Sequence, residues 1–195
     1  KRMLSIGVPS AGESLSYSFA MTMITKVGNI LALAFGTYVI NTMVFSKTFA
    51  WFSFLYASAI GQATQVIIGT HMGAGEVEDV DRLVMKTWRN AVLISICIST
   101  TLFIFSDSLF GLFSSDPRVL ELGKKIMFVE IFLEIGKSSN ITLVRSLQAT
   151  GDNRFPTMVG IISMWLFAVG VGYLLATVGN LGLVGLWIGM TIDEC

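Results

Sequence analysis

Charge is what this sequence has least of. Of its 195 residues 13% are charged, about half the share carried by a water-soluble domain. Basic and acidic residues balance at 13 each. A nucleic-acid footprint, which needs a basic excess on one face, is excluded. Two cysteines, Cys97 and Cys195, make neither a disulfide framework nor a metal set. Cys97 sits in the apolar run 91–105, where a buried, inert thiol is expected. The single histidine, His71, stands beside a loop and has no Cys, His or carboxylate at metal-ligand spacing, so a structural role is expected. There is no nucleophile–base arrangement, so the sequence gives no reason to expect an enzyme. Prolines number three: Pro9, Pro117 and Pro156.

Apolar length is what the sequence has in excess. Hydrophobic residues make up 53% of it, and the mean hydropathy is +0.73. A bilayer core about 30 Å thick needs about 20 apolar residues in a helix. Six stretches qualify or nearly qualify: 6–35, 39–69, 88–105, 122–148, 155–178, and 181 onward to 195, the last unfinished. The fold class expected is therefore all-α, a polytopic membrane helix bundle of about six helices. No linker divides the chain, so 1–195 reads as one domain in contact with lipid. Lys1 without a preceding Met, and an apolar stretch still running near Cys195, read as a piece of a longer membrane protein. The first stretch is too long for a signal peptide and carries Glu13 and Lys26.

The connections carry turn chemistry. Gly73-Ala74-Gly75 stops the second helix, and 76–89 reads as a charged, amphipathic loop. Ser115-Asp116-Pro117 is a helix start, a capping Asp before Pro at the first helical position. Gly151-Asp152-Asn153 ends the fourth helix and Gly179-Asn180 turns the chain into the sixth. With the N-terminus on side one, that side collects Lys1, Arg2, Arg82, Lys86, Arg89, Arg145 and Arg154. Side two collects Arg118, Lys124 and Lys125. Side one is then cytoplasmic.

Charges within spans each cost about 2.5–3.5 kcal/mol on insertion scales, and a water path or an ion site is the usual reason for them. In the fourth stretch Glu130, Glu134 and Lys137, spaced four and three, share a face, and Gln148 returns to the direction of Glu130. Phe128, Phe132, Ile135 and Leu143 occupy the opposite face. Either Glu134 and Lys137 merely neutralise each other, or the stripe lines a wet path; Glu130 is expected to stay unpaired within the helix, which favours the wet path. Glu13, with Tyr17 and Ser10 near its face, has no basic partner three or four residues away. It either titrates or binds a cation, or is solvated near the headgroups. Gln62 and Gln65 either bind a polar ligand or tie helices together. Gly185-Leu-Trp-Ile-Gly189 and Gly170-Val-Gly172 read as close helix packing. Asn140-Ile-Thr142 matches a glycosylation signal but lies inside a span.

These residues resemble a known family. Gly7-Val-Pro-Ser-Ala-Gly-Glu13, Ile60-Gly-Gln-Ala-Thr-Gln65 before Met72-Gly-Ala-Gly-Glu76, Leu147-Gln-Ala-Thr-Gly-Asp152-Asn-Arg-Phe-Pro156 and Gly182-Leu-Val-Gly-Leu-Trp187-Ile, in that order, are similar to the C-terminal lobe of multidrug and toxic compound extrusion (MATE) transporters. The resemblance implies two six-helix lobes around a V-shaped cavity, with the N-terminal lobe as the missing partner. It implies multidrug export of organic cations or xenobiotics across the cytoplasmic membrane, driven by H⁺ or Na⁺ antiport without a further cofactor. It matches coupling carboxylates to Glu13 and Glu134; with the spacing of the fourth stretch, cation coupling is expected at Glu13, Glu130 and Glu134, and the cavity lining at Tyr17, Gln62, Gln65, Lys137 and Asn140. Glu134-Ile-Gly-Lys137-Ser-Ser-Asn140 looks like one bacterial branch, while Gln148 stands where many members carry Arg. Two other readings fit the same spans: a related flippase for lipid-linked sugars, and a channel or packing scaffold.

Overall fold

The structure, a computed structural model, describes the backbone of residues 2–151 and 154–195 and the side chains of 11–76, 80–151 and 154–195. Pro9 and Ser10 near Glu13, Asp152 and Asn153 of the segment 147–156, and the terminal Lys1 lie outside those described side chains. Described elements are helical throughout. They are α1 (Arg2–Phe35), α2 (Tyr38–Ala74), α3 (Val77–Ile104), a short α4 (Ser106–Gly111), α5 (Pro117–Thr150), α6 (Arg154–Thr177) and α7 (Leu183–Glu194).

Each helix begins and ends for local reasons. Gly75 closes α2 in the left-handed region at φ +80°, with its N–H and that of Glu76 donating to the last free carbonyls of the helix. Asp116 caps α5 by accepting the Arg118 N–H, and Pro117 follows as expected. The turn after α6 is built at Asn180, φ +53°. The charged stretch 76–89, expected as a loop, is instead the opening of α3. Val80, Leu83, Val84, Thr87, Trp88 and Ala91 turn inward at helical spacing while Asp81, Arg82, Lys86 and Arg89 face out, so charge marks a face and not a break. The middle of α6, Met164–Val171, is π-helical; hydropathy alone reads this as an uninterrupted span.

Among the described residues, four helices are long and apolar enough to cross a membrane: Ala11–Phe35, Tyr38–Ala74, Val80–Ile104 and Arg154–Thr177. α5, with 34 residues, has the length but carries the charges discussed below, and α7 has 12. The skin of the bundle is apolar, with Leu33, Leu112 and Val178 more than 70% exposed. Its interior holds hydroxyls and glycines: Thr42, Ser46, Ser53, Ser95, Ser99, Ser138 and Thr142 are all fully buried. Small residues inside and large apolar residues outside are the arrangement of helices packed in lipid, where close approach replaces the hydrophobic effect. Cys97 belongs to the skin and is exposed, contrary to the expectation of a buried thiol. The buried stripe of α3 runs through Ala91, Ser95 and Ser99, and Cys97 lies two residues, about 200°, round from it.

α5 is the central helix and packs against α2, α3, α4 and α7. α7 lies between α5 and α6 at very short range. A methyl group on Gly185 would come within 2.6 Å of the Ala176 backbone, and one on Gly189 within 2.4 Å of Gly172 Cα. The small-residue patterns at 170–172 and 185–189 thus do bring helices together. This places the far end of α7 against the middle of α5.

Candidate functional site

Glu130, Glu134 and Lys137 lie 13, 17 and 20 residues after Pro117, about 20–30 Å along the α5 axis. Glu130 and Glu134 are shut away from the surface, at 2% and 0% exposure. Lys137 donates to Glu134 Oε1 and lies 3.6 Å from Glu130 Oε1. Glu130 is therefore not left alone, as a count of adjacent turns suggests. Lys137 two turns away reaches it, and Trp187 of α7 donates its indole N–H to Oε2 at 2.7 Å. Glu130 Oε1 and Glu134 Oε2 remain buried with no hydrogen-bond partner.

The end of α7 brings two more carboxylates to the same neighbourhood. Glu194 Oε2 accepts from Asn140 Nδ2 at 2.8 Å, and its charge is felt at Lys137. Asp193 Oδ1 accepts from Ser163 of α6 at 2.7 Å, just before the π-helical turns. The π segment and this contact coincide, as local widening of a helix often does with a polar site. Tyr17 of α1, its ring half-exposed, lies within electrostatic range of Lys137 and Glu194. Lys137 and Asn140 of the expected set, with Tyr17, are thus gathered around one centre. The opposite face of α5 carries Phe128, Phe132 and Leu143 outward, as expected.

The other expected residues lie elsewhere. Glu13 is half-buried and accepts from Thr157 of α6 at 2.9 Å. It sits about 16 Å along α1 from the side-one end, one turn before Tyr17, and its contact is to α6 and not to α5. Gln62 is exposed and donates to Ser58 of its own helix at 3.1 Å, and Gln65 is half-buried one turn further. Gln148 accepts from Arg145 at 3.4 Å and, although it shares the bearing of Glu130, lies about 27 Å further along the axis. His71 pairs with Glu76 at 2.8 Å across the α2–α3 turn.

Three contributors were not singled out from the sequence: Trp187 as a donor, Asp193 and Glu194. One signal was available. Trp187 and Glu194 are seven residues apart, two turns on one face, and Asp193 and Glu194 close a stretch that is otherwise free of charge.

A helix bundle apolar on the outside, with carboxylates and one ammonium buried at mid-depth, has the build of a membrane transport protein. The chain belongs to the MATE family: residues 9–174 match the MatE family profile. It is 34% identical over 194 residues to the uncharacterized transporter YisQ of Bacillus subtilis, covering all of this chain and 42% of that protein. It is 29% identical over 198 residues to the probable multidrug resistance protein NorM of Thermotoga maritima, covering 99% and 41%. Among solved structures, an outward-facing multidrug resistance MATE family transporter of the MOP superfamily superposes with a TM-score of 0.86 at 19% identity, covering 98% of this chain and 42% of that one. An inward-facing structure of such a transporter gives 0.84, also at 19% identity, covering 98% and 44%. These two likenesses establish the fold. The chain spans about two-fifths of the length of the curated relatives it matches.

Proposed function

We propose that the complete protein is a secondary exporter of organic cations or other xenobiotics, coupled to inward flow of H⁺ or Na⁺ across the cytoplasmic membrane. This chain is its C-terminal lobe, and the remaining length supplies the N-terminal lobe. One observation carries the reading: two buried carboxylates share a single ammonium, and each keeps one oxygen unbonded. Net charge at a buried site is costly unless it is matched. A proton or a small cation taken up by Glu134 or Glu130 matches it, and a cationic substrate alongside competes for the same field. Filling and emptying this site biases the rocking of the two lobes between inward-open and outward-open forms. Glu13, held by Thr157, acts as a second carboxylate nearer side one. Tyr17, Gln62, Gln65 and Asn140 line the substrate path. The NorM relatives, named as probable multidrug resistance proteins, support the substrate class. Seven basic residues on side one against three on side two support a cytoplasmic side one.

The test is Glu134→Gln in the full-length protein, with ethidium efflux measured in vesicles under an imposed H⁺ or Na⁺ gradient. Gradient-driven efflux should fall by about tenfold or more, in the range of one lost charge-assisted interaction, while ethidium still binds. Coupled efflux at the wild-type rate would refute the role given to the cluster.

A further inference from the structure

The intramembrane lysines are treated very differently by this fold. Lys137 is surrounded by carboxylates. Lys47, inside the α2 span, is half-buried, and no carboxylate among the described residues pairs with it. Its Nζ donates to Thr25 Oγ1 of α1 at 3.1 Å. Thr25 gives its own proton to the Met21 carbonyl at 2.8 Å, so its oxygen presents a lone pair to the ammonium. An ammonium has three donors, and this contact uses one.

Lys47 lies nine residues, about 14 Å, past Tyr38, and Thr25 lies ten residues, about 15 Å, before Phe35. The ammonium is therefore held level with its own backbone and does not stretch toward the headgroups as intramembrane lysines near helix ends do. Lys26, exposed, stands nine residues before Phe35, at the same depth on the neighbouring helix. Two cations thus share one level, and among the described residues neither is ion-paired. Beside Lys47 a shallow recess of about 430 Å³ is lined by Val44, Lys47, Thr48 and Trp51. Those positions follow the spacing of one helix face. Trp51 is 57% exposed, and its ring lies 5.0 Å from that of Phe54.

We propose that this recess is a binding site for the anionic head of a small aromatic amphiphile, a carboxylate on an organic anion or zwitterion. The carboxylate takes the free donors of Lys47, with Lys26 adding to the field, and the ring lies along Val44 and Trp51. The site is separate from the α5–α7 cluster and does not depend on the coupling role given to it. It extends the ligands of this lobe beyond simple cations.

The test uses the full-length protein in phosphatidylcholine nanodiscs, with equilibrium dialysis of 9-anthracenecarboxylate and of its neutral analogue 9-anthracenemethanol. Wild type should bind the carboxylate saturably. Lys47→Met should weaken carboxylate binding by about tenfold or more and leave the alcohol unchanged, and Lys47→Arg should retain most of it. Three results overturn the proposal: an unchanged carboxylate affinity in Lys47→Met, equal loss of both probes, or no saturable binding by wild type. The last is the outcome if a carboxylate outside these 195 residues already pairs Lys47. Phosphatidylglycerol nanodiscs form the lipid arm. If wild type, and not Lys47→Met, retains that lipid and the carboxylate no longer binds, the occupant is a lipid phosphate and the assignment to a soluble anion fails.

Discussion

Adding one methyl group at Gly189 tests whether helix packing holds the buried cluster in place. The alanine Cβ would fall 2.4 Å from Gly172 Cα, 2.6 Å from Gly172 N and 3.1 Å from the Phe167 carbonyl oxygen, all of them backbone atoms. Carbon–carbon contact is comfortable at about 3.5–4.0 Å, so α7 must retreat from α6 by about 1 Å. It cannot do so freely. On its other side the Glu194 backbone occupies the place where a Gly136 side chain would be, 2.8 Å from that virtual Cβ. α7 is wedged, and overpacking of this kind costs about 1–3 kcal/mol. Glu130 is on α5, so a retreat from α6 presses Trp187 toward it, and the bond, already 2.7 Å long, has no room to shorten.

Gly160 is the control, because a Cβ there meets nothing within 4 Å. Thermal unfolding of the full-length protein in detergent should place Gly189→Ala well below Gly160→Ala. Trp187→Phe, which keeps a ring and removes the donor, separates the hydrogen bond from the wedge. It should lower gradient-driven efflux with a small loss of stability. Combined with Gly189→Ala, it should add less than its own effect, because the two perturb one contact. Equal melting midpoints for Gly189→Ala and Gly160→Ala would refute the wedge and leave the cluster held by something other than α6–α7 packing.

Two predictions concern side two. The bonds from Arg118 hold the Asp116 carboxyl below its ordinary value of 3.8. The cap is thus fully present above that value and is lost as pH falls below it toward the lowered folded value. Hydrogen-exchange protection of the Arg118–Leu120 amides should fall over that window in wild type and become pH-independent in Asp116→Asn. The Lys124–Asp107 pair, 2.8 Å apart but about half exposed on both sides, should couple by no more than about 1 kcal/mol in a double-mutant cycle of thermal stability.

What could be read from the sequence divides along physical lines. Helix ends were legible wherever backbone chemistry is local, as at Asp116-Pro117 and Gly75. The spacing of Glu130, Glu134 and Lys137 was legible because a helix makes its own geometry. The charged opening of α3 was misjudged because loop and amphipathic helix have the same composition, and only the inward register of Val80, Leu83, Val84 and Thr87 separates them. The rest of the site depends on contacts between helices. Nothing near Trp187 in sequence points to Glu130, 57 residues away. That meeting exists because Gly185 and Gly189 let α7 approach α6, and because Gly136 leaves room on α5 for the Glu194 backbone. The glycines that read as packing signals and the carboxylates that read as chemistry are thus parts of one device. The close-packed faces set how near α7 stands to α5, and that distance determines whether Trp187 can share Glu130 with Lys137.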